Sequence, residues 1–121
     1  ERFVYGLYTE CLGRFPEDEG ITYWCNKLKN REITGKEIAY QFFFSEEYFE
    51  VSRNRYTTYG VEGDPYIEAY YKVFMCRASD KDGLAYWQSV CQKDYEFKNL
   101  YLFDGFADSK EFAEKCVSYG I

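Results

Sequence analysis

The sequence predicts an all-α domain in which two copies of a roughly four-helix unit are fused into one compact core. Apolar residues recur at the three- and four-residue intervals of a helical face, and no stretch alternates long enough to predict a strand. The chain also repeats itself, since a shift of 63 residues brings Arg14 onto Arg77 and Trp24 onto Trp87. One unit alone would leave an apolar face bare, so the two units are expected to share a core.

The first unit is predicted to form helices over residues 2–12, 17–29, 35–44 and 46–54. Its first helix carries an apolar stripe that includes Val4, Leu7 and Cys11. Thr34 and Glu37 have the spacing of a capping box at the start of the third helix. The fourth helix follows a serine that can cap it.

The second unit repeats this order over residues 65–76, 80–92, 97–107 and 110–118. Asp64 and Pro65 are typical of a helix start, and Ser109 can cap the last helix. We therefore predict a single domain over residues 1–121, with the first repeat at 1–56, the second at 64–121 and a linker at 57–63.

The stretch RASDKDG places Asp80 and Asp82 before a predicted helix, in a run that resembles part of a calcium loop. An EF-hand would need oxygen ligands over twelve residues closed by a glutamate, and apolar residues follow Gly83 instead. Carboxylates in the first turn of a helix are favoured by its dipole. The sequence thus predicts helix capping here, and no metal or cofactor.

Composition narrows the function. The net charge is −6 and there is no basic tract, so neither nucleic acid nor an anionic membrane is an expected partner. No apolar run reaches membrane-spanning length, and the first residues do not resemble a signal peptide. Histidine is absent, which removes the commonest general base and argues against an enzyme.

Aromatic residues make up 22% of the chain, more than one small core can hide. Where one repeat has a ring and the other a charge, the position cannot be obligatory core, because burying an unpaired charge is costly. This comparison selects five candidate binding residues, each aligned with Glu68, Asp104, Asp108, Arg31 or Glu37: Tyr5, Tyr40, Phe44, Tyr95 and Tyr101. They form either an aromatic ligand platform or the seam between the repeats.

Four repeated residues are assigned structural roles. Trp24 and Trp87 lie on the same helical faces as neighbouring leucines and are expected to be buried anchors of the core. Arg14 and Arg77 follow the first helix of each unit, where they can bind its terminal carbonyls or a nearby acid.

The stretch FVYGLYTECLGRFPEDEGITYW, followed by LKNREITGKEIAYQFFFSEEYF, resembles the bacterial domain of unknown function 4214, a helical family similar to the phycobilisome linker domain. Residues 66–113 match more loosely, with Cys76, Ser79 and Phe103 at the places of Gly13, Pro16 and Ala39. The resemblance implies a module of larger secreted or cell-surface bacterial proteins and supplies no catalytic residues. It also implies an oxidising compartment, so at most two disulfides are expected, involving Cys76, Cys91 and Cys116.

The favoured function is a non-catalytic binding or attachment module that recognises a carbohydrate, a cell-wall polymer or a protein through surface aromatics. The alternative is a structural spacer or oligomerisation unit without a ligand. Paired acids such as Glu46 and Glu47 are available for glycoside hydrolysis, but helix-start acids are expected to be solvated caps, so an enzyme is less favoured.

Overall fold

The computed structural model describes residues 1–59, 64–93 and 97–121, and their side chains except for those of residues 53–59, 64 and 65. These parts of the chain contain helices and no strand, which confirms the all-α prediction. The α-helices are α1 Arg2–Leu7, α2 Asp18–Lys29, α3 Gly35–Phe43, α4 Glu46–Tyr59, α5 Asp64–Tyr70, α6 Lys81–Lys93, α7 Lys98–Ala107 and α8 Lys110–Tyr119.

Short π-helical segments, Tyr8–Leu12 and Tyr71–Met75, continue α1 and α5 where continuous helices were predicted. Each segment ends at a residue in the left-handed conformation, Gly13 with φ 65° and Cys76 with φ 55°. Glycine adopts this conformation freely, whereas cysteine does so at a cost. The two repeats therefore keep the same backbone turn although only the first has the residue that suits it.

The helix starts use the side chains that the sequence indicated. The Glu37 N–H donates to Thr34 Oγ1 and the Thr34 N–H to Glu37 Oε1, both at 3.1 Å, so the predicted capping box is formed. Ser45 and Ser109 cap α4 and α8 in the same way, accepting from the third helical N–H at 3.1 Å. These caps satisfy amide groups that lack partners within the helix.

At the start of α6, the Gly83 N–H donates to Asp80 Oδ1 at 3.1 Å. The capping role predicted for the acids of this turn is thus confirmed for Asp80. In the same turn, the side chain of Ser79 bonds Glu68 of α5.

Helix α4 continues to Tyr59 instead of ending at residue 54 as predicted. The sequence offers no glycine before Gly60 to end the helix earlier, and threonines lower helical propensity without stopping a helix. The helix thus includes the first residues of the predicted 57–63 linker. Residues 60–63 lie outside the described chain, and the division into repeats at the linker stays a prediction.

Buried side chains from both repeats form one core cluster, so the repeats are fused as predicted. Helices α3 and α7 lie antiparallel at its centre: Lys36 near the start of α3 pairs with Asp108 after α7, while Asn99 Nδ2 near the start of α7 donates to the Phe43 carbonyl. The Phe43 ring stacks on Tyr70 with centroids 4.3 Å apart, which joins α3 to α5.

The five cysteines all lie in the described chain as thiols, so the disulfides expected among Cys76, Cys91 and Cys116 are not formed. Each of these thiols has a different neighbourhood. Cys76 Sγ lies 3.0 Å from the Tyr119 hydroxyl, Cys91 is buried in the core, and Cys116 lies against Gly35. Burial raises the pKa of the Cys116 thiol, which lowers its thiolate fraction and its reactivity.

Within the described residues, no helix combines the length and apolar character needed to cross a membrane.

Candidate functional site

The repeated arginines bind acids of the last helix in their own repeat. Arg14 Nε donates to Glu47 Oε2 at 2.9 Å, and Arg77 Nε donates to Glu111 Oε2 at 3.1 Å. Each guanidinium also lies 5.2 Å from the centroid of a tyrosine ring, Tyr8 or Tyr71. The hydrogen bond to the glutamate raises the pKa of each arginine. These matched pairs tie the end of the first helix to the last helix of each repeat.

The repeated tryptophans occupy matching places at the edge of the core. Trp24 packs on Phe42 with ring centroids 5.7 Å apart, and Trp87 packs on Phe106 at 5.1 Å. Both are partly buried, not fully buried as expected, because each lies on the outer side of the phenylalanine it covers. The ring of Trp87 lies so close to Gly105 that a Cβ there would collide with it.

The candidate residues Tyr40 and Phe44 form a stacked pair on α3, with centroids 4.4 Å apart. Both rings also pack edge-on against buried Phe103 of α7, at 5.6 and 5.4 Å. The pair therefore lies on the seam between the repeats, while 51% of Tyr40 stays exposed. These contacts agree with the seam interpretation and leave an outer face accessible.

The other candidates lie apart from this pair or outside the description. Tyr101 is exposed on α7. Tyr95 falls within residues 94–96, outside the described chain. Tyr5 is 44% exposed on α1 and lines a separate groove. The five residues selected by the ring-against-charge comparison thus do not form one surface.

The groove beside Tyr5, here called the Tyr5 groove, has a volume of about 480 Å³ between α1, α2 and the C-terminal end of the chain. Its apolar lining includes Phe3, Tyr5, Ile21, Leu28, Tyr119 and Ile121. Its polar lining includes Glu1, Asp18, Thr22, Asn26 and Lys29. The size is within the ~300–1,000 Å³ of ordinary small-molecule sites, and mixed lining is typical of them.

Tyr119 joins this groove to the core. Its ring stacks on Phe3 with centroids 6.2 Å apart. Burial, with the Cys76 contact, raises the pKa of Tyr119 to about 12, so its hydroxyl stays protonated at neutral pH. The ring is thereby held in place as a fixed wall of the groove.

Sequence reasoning missed Phe15, which lies beside Tyr5 with ring centroids 5.7 Å apart. It is 73% exposed, an unusual position for a phenylalanine. The second repeat has Ala78 at the matching place, so a search for rings facing charges passed over it. A search for any large ring replaced by a small residue would have found it.

The model of a family described as Domain of unknown function (DUF4214) matches this chain twice, over residues 1–52 and 48–116. The chain belongs to this family. The two matches agree with the internal repeat, so the protein carries two DUF4214 copies in tandem. No curated protein matches the chain, and no solved structure matches it.

The two DUF4214 copies differ where the groove lies. In the second copy, Ser79 takes the place of Pro16 and Glu68 takes the place of Tyr5. The Ser79 N–H donates to Glu68 Oε2 at 3.2 Å, and the Ser79 hydroxyl bonds the other carboxylate oxygen. Proline has no N–H and tyrosine no carboxylate, so the first copy cannot form this clasp.

Proposed function

We propose that this DUF4214 protein is a non-catalytic binding module of a larger secreted or cell-surface bacterial protein, attaching it to a carbohydrate, a cell-wall polymer or a protein partner. The observation that carries the proposal is the Tyr5 groove with the exposed Phe15 ring at its rim. Planar rings that flank a partly polar groove offer both stacking surface and orienting hydrogen bonds.

The differences between the copies support a binding role for this place. Tyr5, Phe15 and Pro16 are all replaced in the second copy, whereas the arginine–glutamate and tryptophan–phenylalanine contacts are kept in both. Contacts that hold the fold together are expected in each copy. Rings that appear in one copy alone and remain exposed are better explained by recognition than by packing.

The composition supports a non-catalytic role, because the chain has no histidine and its acids serve as helix caps and ion-pair partners. The acidic net charge of −6 disfavours nucleic acid and anionic membrane as ligands. Attachment to neutral polymer or to protein is the remaining role that uses exposed aromatic rings.

The proposal is tested by retention on purified bacterial cell walls, on insoluble polysaccharides and on immobilised cell-surface protein extracts. Wild-type protein should be retained on at least one of these, and Tyr5→Ala should reduce retention. Tyr86→Ala is the matched control, since Tyr86 is an exposed ring in the second copy, far along the sequence from the groove. Retention on none of the three, with self-association in the analytical ultracentrifuge, would support a spacer or oligomerisation unit instead.

A further inference from the structure

We infer, on the basis of the proposed function, that the Tyr5 groove takes one segment of a neutral saccharide and that the second repeat is closed to it. The duplicated chain would then hold one ligand instead of two. The groove thereby has a defined ligand class, and the protein a defined stoichiometry.

The lining of the groove matches the two sides of a sugar. Tyr5 and Tyr119 present ring surfaces, and a pyranose has an apolar C–H face that stacks on such rings. Thr22 and Asn26, from adjacent positions on α2, supply a hydroxyl and an amide that can both donate and accept. Sugar hydroxyls need partners of this kind, because each also donates and accepts.

Charge favours a neutral ligand over a phosphorylated or sulfated one. The groove contains two carboxylates, Glu1 and Asp18, and one ammonium, that of Lys29. A single lysine offset by two acids gives no positive field to hold an anion. The acidic chain adds to that repulsion.

The second repeat carries a lock at the matching place. Glu68 on α5 bonds both the N–H and the hydroxyl of Ser79 in the loop before α6, which holds this loop against the helix. The exposed ring of Phe15 is also absent there, because Ala78 stands at its position. The features that would bind a sugar are thus replaced by a contact internal to the protein.

The experiment transfers this lock to the first repeat. The double substitution Tyr5→Glu with Pro16→Ser copies the second repeat's pair into the full chain, and Phe15→Ala removes only the rim ring. Tyr86→Ala is the control for loss of an exposed ring elsewhere. Each protein is first compared by far-UV circular dichroism and thermal melting, then applied to an array of neutral oligosaccharides. The glycan best bound by wild type is titrated by calorimetry.

We expect wild type and Tyr86→Ala to bind a neutral glycan with a stoichiometry of one. The lock should weaken binding about 30-fold or more, the loss typical of a central contact residue. Phe15→Ala should weaken it about fivefold, and since its ring is exposed this variant remains a test even if the double variant melts early.

Three results would overturn the inference: no neutral glycan bound by wild type, two ligands per chain, or unchanged affinity in both Phe15→Ala and the folded lock variant. The proposed function fails separately. Protein that is retained on cell walls or on a protein partner but binds no neutral glycan is still a binding module with another ligand. Protein retained on nothing is not a binding module.

Discussion

Phe3 of the first repeat packs against Phe112 of the second, with ring centroids 5.5 Å apart. Tyr66 and Tyr48, at the matching positions of the opposite repeats, pack at 5.9 Å. The first helix of each repeat therefore lies on the last helix of the other. Such a reciprocal exchange has the form of a two-fold symmetric interface within one chain. Each repeat thus depends on the other for part of its core.

The exchange predicts that both repeats unfold together. Each repeat has one tryptophan, so Trp87→Phe leaves Trp24 to report on the first repeat, and Trp24→Phe leaves Trp87 to report on the second. Urea titrations followed by fluorescence should give the same midpoint once each variant is compared with its own circular dichroism curve. Separate midpoints for fluorescence and circular dichroism would mean that the repeats are independent.

Removal of a ring at the exchange should destabilise the whole chain. Phe112→Ala leaves a cavity against Phe3 and Phe74, and we expect a loss of about 3–5 kcal/mol in the free energy of unfolding. Urea denaturation measures it. Val117→Ala on the same helix is the control, because Val117 is largely exposed and its truncation should cost little.

Gly105 has no room for a side chain because the Trp87 ring covers it. We expect Gly105→Ala to lower the free energy of unfolding by about 1–2 kcal/mol, the clash exceeding the gain in helix propensity. Gly6→Ala is the matched control: Gly6 is also helical, no atom lies near the place that an alanine methyl would take, and the change should be neutral or slightly stabilising. Thermal melting compares them, and a stabilised Gly105→Ala would show that Trp87 is loosely held.

High pH should unfold the protein through its buried tyrosines. Burial raises the pKa of Tyr48 and of Tyr70 well above the usual 10, and that of Tyr119 to about 12. The folded state therefore keeps these protons after the unfolded state has lost them. Stability from this source is complete below pH 10 and falls as the pH rises from 10 through the folded-state pKa values.

The measurement is absorbance of tyrosinate near 295 nm, recorded with circular dichroism while the pH is raised. Exposed tyrosines should ionise first without loss of helix, and the rest should ionise together with unfolding. Smooth ionisation of all tyrosines near pH 10 with the helices intact would contradict the burial of Tyr48 and Tyr70.

The stacked pair Tyr40 and Phe44 lies on Phe103, and its double replacement by alanine distinguishes seam from platform. The edge-on contacts predict a loss of about 2–3 kcal/mol, less than for fully buried rings because Tyr40 is half exposed. Replacement of Tyr101, which is exposed on α7, by alanine serves as the control. An unchanged melt with loss of ligand retention would identify the pair as a platform.

Local sequence patterns predicted the helices well, because their signals are local. Thr34, Ser45 and Ser109 cap the helices that the spacing assigned to them. The π-helical turns were not predicted, since apolar spacing alone does not distinguish them from α-helix. The disulfide expectation came from the implied compartment and not from geometry, and it was wrong.

The groove could be predicted only in part. Tyr5 was selected because Glu68 stands at its place in the other repeat, but its partners Tyr119 and Ile121 come from the opposite end of the chain. Nothing in the sequence near Tyr5 indicates that approach. It results from the packing of Phe3 on α8, which is a tertiary contact between repeats.

Whether the Tyr5 groove is the binding site can be measured on isotope-labelled protein titrated with soluble fragments of bacterial cell-wall polysaccharide and followed by amide chemical shifts. We predict saturable shifts centred on Tyr5, Phe15, Thr22 and Asn26, with the amides around Glu68 and Ser79 unmoved. Shifts centred on the second repeat or on Tyr40 and Phe44, or no shifts at any fragment concentration while the protein is retained on cell walls, would contradict this assignment.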